Sequence, residues 1–80
     1  MEHELKILPQ YFEEVWNENK TFELRKDDRN YKVGDTLRLL EFDYGTYTYT
    51  GRECNRTILY ILRDVEQYGL KEGFVILAMK

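Results

Sequence analysis

The period of the apolar positions changes several times along this chain, and each change marks an element. Between His3 and Leu8 the period is two: Leu5 and Ile7 share one side and Lys6 takes the other, as in a strand. Pro9 stops that strand and opens a helix, where its missing N–H does no harm. Tyr11, Phe12, Val15 and Trp16 then recur at helical spacing, while Glu13 and Glu14 face away and suit the helix N-terminus. Asn17-Glu18-Asn19 ends the helix. A second strand is expected over Thr21–Lys26, followed by a charged loop from Asp27 to Gly34. Val33-Gly34-Asp35 reads as a tight turn into a third strand, Thr36–Phe42, with Leu37, Leu39 and Leu40 feeding the core. Tyr44–Thr50 is a polar-aromatic hairpin or loop around Gly45, and Gly51 precedes a long strand over about residues 53–62. Gln67-Tyr68-Gly69 marks a turn after one short helical turn. Phe74–Met79 is almost continuously apolar, the pattern of a central strand buried on both faces. The order β-α-β-β-β-β predicts an α+β fold. One main helix packs near the N-terminal strand against a small, curved, mostly antiparallel β-sheet or β-barrel.

Within this pattern the segment Lys20-Thr21-Phe22-Glu23-Leu24-Arg25 stands out. Phe22 and Leu24 project to one side of a strand; Thr21, Glu23 and Arg25 project to the other. A face that groups a hydroxyl, a carboxylate and a guanidinium, with Lys20 one step before them, suits a polar ligand. The plainer reading is the solvated outer face of a sheet, where alternating charges are ordinary.

With 80 residues there is room for a single domain, residues 1–80, whose modest core is helped by seven Tyr and four Phe. The single Cys54 permits no internal disulfide, and no apolar run reaches membrane-spanning length, so a cytoplasmic setting and no membrane partner are expected. The net charge of −3 argues against a protein that coats nucleic acid. The charge is unevenly spread, however. Residues 1–19 carry five Glu and one Lys, whereas residues 20–32 carry Lys20, Arg25, Lys26, Arg29 and Lys32 against three acids. A short basic stretch in an acidic chain suits a small anionic group better than a long phosphate backbone. One His and one Cys far apart offer no metal-ligand spacing, and there is no glycine-rich phosphate loop, so neither metal nor cofactor is expected. His3 has two readings, a proton carrier or a hydrogen-bonded strand histidine.

These landmarks, taken in order, resemble a known family. His3-x-Leu5-Lys6, Tyr11-Phe12, Lys20 to Arg25, Asp28-Arg29, Val33-Gly34-Asp35 and Tyr49-Thr50-Gly51-Arg52 are similar to the ASCH domain (activating-signal-cointegrator homology) of the PUA-like superfold, in its short bacterial and phage branch. The family signature spaces Gly, Lys, Glu and Arg so that Lys20, Glu23 and Arg25 match and the Gly falls on Glu18, with Asn17 or Asn19 left to supply the bend. The resemblance implies RNA or a nucleotide-like small molecule held in a cleft between helix and sheet. The residues implied as ligand-binding are His3, Lys6, Lys20, Glu23, Arg25, Arg29 and Tyr49. Chemically, Arg25 and Arg29 can grip phosphate or a base edge as a fork, Glu23 can accept from an amino group, and Tyr44, Tyr47 and Tyr49 offer stacking faces or cross-strand packing. Long duplex DNA is not an expected partner.

Two other classes stay open. Some relatives of the ASCH domain hydrolyse an acetylated nucleoside with a Lys, a Thr three residues later and a distant Glu, and another branch is thought to cut RNA. Here Glu23 stands where that Thr would be, so Lys20 and Glu23 are the catalytic candidates only if the chain is an enzyme. The third class is a protein-interaction module anchored on the tyrosines of residues 44–50.

Overall fold

The structure, a computed structural model, describes residues 1–80. Its elements are β1 (Glu2–Ile7), α1 (Pro9–Trp16), β2 (Phe22–Lys26), β3 (Thr36–Asp43), β4 (Thr48–Leu62), a single 3-10 turn (Glu66–Tyr68) and β5 (Phe74–Met79). The five strands form one sheet in the order β1-β3-β4-β5-β2. Only β1 and β3 run parallel; the other three pairings are antiparallel.

The first two strands of the chain are therefore the two edges of the sheet, with α1 carrying the chain from one edge to the other. No strand pairing joins β1 to β2, so the sheet is open. It nevertheless curls until its edges meet through a side chain: Arg25 of β2 donates to the Lys6 carbonyl of β1 at 2.6 Å.

Helix α1 begins as its sequence dictates. Pro9 occupies the first turn, and the carbonyl of extended Leu8 accepts from the N–H groups of Tyr11 (3.0 Å) and Phe12 (2.8 Å). Phe12 and Val15 are fully buried, whereas Tyr11 and Trp16 are about half exposed, so the helix buries a narrower stripe than its four large apolar residues suggest. The chain turns away from the end of the helix at Glu18, which takes the left-handed conformation (φ 62°). The bend thus lies on the residue that stands where the ASCH signature has Gly, and not on Asn17 or Asn19. The next two N–H groups, of Asn19 and Lys20, both donate to the Glu14 carbonyl and fold Lys20 back over the helix end.

The core comprises Leu5, Ile7, Phe12, Val15, Tyr31, Leu37, Leu39, Ile58, Val75, Leu77 and Met79. Burying each large aliphatic or aromatic side chain contributes about 1.5–3 kcal/mol. Three expectations need correction. Strand β5 buries one face only: Val75, Leu77 and Met79 enter the core, while Phe74, Ile76 and Ala78 remain half-covered on the outer face. Leu40 is half-buried rather than core, because two neighbouring inward positions are taken by Leu39 and Glu41. The long strand β4 starts at Thr48, five residues before the predicted start, and makes Tyr44–Tyr47 the tip of a β3–β4 hairpin.

Candidate functional site: a cleft between the two sheet edges

Strand β2 has reversed polarity. Glu23 points inward and is 4% exposed, with Arg25 half-buried beside it, while Phe22 (46%) and Leu24 (56%) face outward. A carboxylate at an inward position needs partners, and it has two. Lys20 Nζ donates to one oxygen and Arg25 Nε donates to the other at 2.8 Å. Lys20 also donates to the Phe22 carbonyl at 2.8 Å and lies near the Tyr11 and Phe22 rings, with its Nζ 5.7 and 5.0 Å from their centroids.

These residues form one wall of a cleft of about 620 Å³. Ile7, Leu8 and Lys6 from the end of β1 form the other wall, Tyr11 and Glu14 of α1 close one end, and Phe22 and Leu24 form the outer lip. The volume falls in the range of small-molecule sites, and mostly apolar walls with a few convergent polar groups are their usual composition.

Beyond the Arg25 bridge lies a second hollow of about 440 Å³, lined by Glu4, Lys6, Arg25, Arg29, Leu40, Tyr44 and Tyr49. Lys6 and Arg25 line both hollows. Arg29 donates to the Glu4 carbonyl at 2.9 Å, and so caps the edge of β1 as Arg25 does two residues further along. Lys6 Nζ sits 4.5 Å from the Phe42 centroid and 5.8 Å from that of Tyr49. Tyr44, Tyr47 and Tyr49 each pack edge-to-face on Phe42 yet stay more than half exposed. The packing reading of these tyrosines is thus seen, with much of each side chain left uncovered.

Two further charged clusters lie away from the cleft. Glu41, 3% exposed, accepts from Arg52 at 3.0 and 2.9 Å and from the Thr50 hydroxyl. Arg52 also donates to Glu13 of α1 at 3.0 Å and covers the Phe12 ring at 4.9 Å, so this group fastens helix to hairpin. Its hydrogen bonds from Arg52 hold the Glu41 carboxyl below its ordinary range, against the opposing effect of burial. At the other end of β1, His3 Nε2 meets Asp35 Oδ2 at 2.8 Å, and the His3 ring packs edge-on against buried Tyr31. The bond to His3, with a smaller contribution from the Lys32 N–H, holds the Asp35 carboxyl below its ordinary range, while burial pushes the Tyr31 hydroxyl up.

The family profile described as Domain of unknown function (DUF3850) matches residues 2–79. The chain belongs to this family. A relative from Escherichia phage P2, described as an uncharacterized 12.9 kDa protein in the GpA 3′ region, is 42% identical over 69 residues. That match covers 85% of this chain and 63% of the phage protein, so the chain spans less than two thirds of that relative's length.

In this DUF3850 domain, Lys6, Lys20, Glu23 and Arg25 meet at one cleft, with Arg29 and Tyr49 in the adjoining hollow. His3 does not join them. It lies on the opposite side of β1 from Lys6, at an inward position, 5% exposed and bonded to Asp35. The expectation that it sits beside the cleft is corrected by the strand's two-residue period. Thr21 also lies elsewhere, in a shallow hollow with Glu18 and Arg56. Burial pushes the Cys54 thiol up, away from the reactive thiolate. Among the cleft residues, Tyr11, Phe22, Leu24 and Glu14 were not expected at a site from the sequence; Tyr11 read as core because it shares the helical stripe with Phe12. No helix is long and apolar enough to cross a membrane.

Proposed function

We propose that this domain binds one nucleotide unit, either a nucleotide-like small molecule or one residue of single-stranded RNA, across the two joined hollows. The observation that carries this reading is their contiguity. A mostly apolar slot and a basic hollow share Lys6 and Arg25, so a flat heterocycle and an attached anion can be held at once. The base lies in the slot beside Glu23 and Lys20; the phosphate lies against Lys6, Arg25 and Arg29. The resemblance to ASCH domains supports the same ligand class. Membranes and long duplex DNA are not partners in this reading, because only three cations converge on the hollow and the whole chain is acidic.

Titration with a nucleoside monophosphate and with short single-stranded RNA at several salt concentrations tests it. A salt slope equivalent to about one to three phosphate contacts is expected. A steep slope, or equal affinity for long duplex DNA, would count against a one-nucleotide cleft. A second reading, hydrolysis of a modified nucleoside, is favoured by the Lys20–Glu23 contact in the cleft wall. It requires turnover that Lys20→Ala abolishes while the protein remains folded. Binding without turnover leaves the cleft a binding site.

A further inference from the structure

The cleft wall is a strand edge, and its hydrogen-bond register exposes a specific pair of main-chain groups. Met79 N–H donates to the Thr21 carbonyl and Asp27 N–H to the Gly73 carbonyl, with Glu23 opposite Leu77 and Arg25 opposite Val75 between them. In an antiparallel ladder, hydrogen-bonded and non-hydrogen-bonded pairs alternate. Residues 21, 23, 25 and 27 therefore exchange hydrogen bonds with β5, and the main-chain groups of Phe22, Leu24 and Lys26 point the other way, to the cleft side. Two of the three carbonyls are occupied: Lys20 Nζ takes that of Phe22, and Asp28 N–H takes that of Lys26. Leu24, between them, keeps both its N–H and its C=O free at the cleft.

An unpaired edge normally invites another strand. Here the facing edge is already capped, because Arg25 and Arg29 occupy the carbonyls of Lys6 and Glu4. An added peptide strand has to break both bonds before it gains any across the gap. A small planar group that carries a donor next to an acceptor satisfies Leu24 without displacing either arginine.

Building on the nucleotide reading above, we propose that the Leu24 main chain reads the Watson–Crick edge of the ligand's base. Every standard base offers an adjacent donor and acceptor along that edge. Leu24 therefore holds bases of different identity, and only unpaired ones, since pairing consumes the edge. The domain selects single-stranded over duplex nucleic acid by a main-chain contact rather than by a base-specific side chain.

The test compares uridine monophosphate with its N3-methyl derivative, which loses the Watson–Crick donor and adds bulk there but keeps the phosphate and the ring. Leaving a buried group unpaired is costly, so binding about tenfold weaker or worse is expected for the methylated nucleotide. The Leu24 amide, open to hydrogen exchange in the free protein, gains protection with uridine monophosphate and not with the methylated form. Leu24→Pro removes the N–H on the cleft side of an edge strand, where proline is tolerated, and weakens binding of uridine monophosphate because a base carbonyl loses its donor; Leu24→Ala, which keeps both main-chain groups, binds as the wild type does. Equal affinity of wild-type protein for the two nucleotides overturns this assignment and leaves the nucleotide cleft standing. Binding of neither overturns both. The ligand comparison holds even if the proline variant fails to fold.

Discussion

The domain contains two nearly buried glutamates held by basic side chains, and they do different things. Glu41 is 3% exposed and Glu23 is 4% exposed, and each accepts from an arginine and one other donor. Around Glu41 the surrounding groups bind one another across a seam of the fold: Arg52 is shared with Glu13 and lies on Phe12, and Thr50 belongs to the same hairpin. Around Glu23 the donors line a cleft, and both Lys20 and Arg25 have N–H groups left over. The same pairing therefore closes a seam of the fold in one place and lines an open cleft in the other. What distinguishes them is the open sheet edge beside β2.

The comparison is broken most sharply at Glu41. Removing one member of a buried ion pair costs about 3–5 kcal/mol, and the half exposure of Arg52 reduces this to about 2–3. Glu41→Ala should show that loss in denaturant unfolding, with nucleotide affinity of the folded protein unchanged. A matching loss of affinity would show that the two clusters are coupled.

Glu23→Gln reverses the pattern. Nucleotide binding should weaken about tenfold, equivalent to about 1.4 kcal/mol, with a smaller loss of stability. Equal losses in calorimetry and in unfolding would make Glu23 a structural group like Glu41. Arg25→Ala and Arg29→Ala should each lower the salt slope of RNA binding by about one phosphate contact. Arg25→Ala should cost more stability, because it also removes a partner of Glu23 and the bridge between the sheet edges.

The effect of pH has the same sign for the two fastening carboxylates. The Glu41 and Asp35 carboxyls lie below their ordinary values of 4.5 and 3.8 in the folded protein. Each contributes stability that is complete above the ordinary value and is lost as pH falls through the lower folded value. Stability should therefore decline on acidification below about pH 4.5, and Glu41→Gln should flatten the decline. Unfolding midpoints between pH 7 and 3 check this. The smallest effect concerns the bend that delivers Lys20. Glu18 holds a left-handed conformation that costs a non-glycine residue about 1 kcal/mol, so Glu18→Gly should stabilise by up to about that amount and leave nucleotide binding intact.

Much of this was legible in the chain. Leu5 and Ile7 against Lys6 marked β1 and its two faces, and Pro9 marked the start of α1. Lys20, Glu23 and Arg25 stood out because Glu23 and Arg25 share one face at strand spacing and Lys20 stands just before them, next to a helix end. Their direction was not legible. Two-residue alternation says which residues share a face, and it is silent on which face is inside. Phe22 and Leu24 would face the core in an ordinary half-buried strand; here they face outward and the charged side enters.

Periodicity is local, and so the sequence by itself determined the element order, the stripe of α1 and the grouping of Lys20, Glu23 and Arg25. Tertiary structure alone decided where those groups lie. It placed β1 and β2 at opposite edges of one sheet and curled that sheet until Arg25 met Lys6. It buried His3 on Asp35 and Tyr31, and it paired Arg52, thirty-nine residues away in sequence, with Glu13. These are long-range contacts, fixed by how strands pair across the whole chain. The cleft exists because two edges that never pair are brought close enough for a side chain to span them.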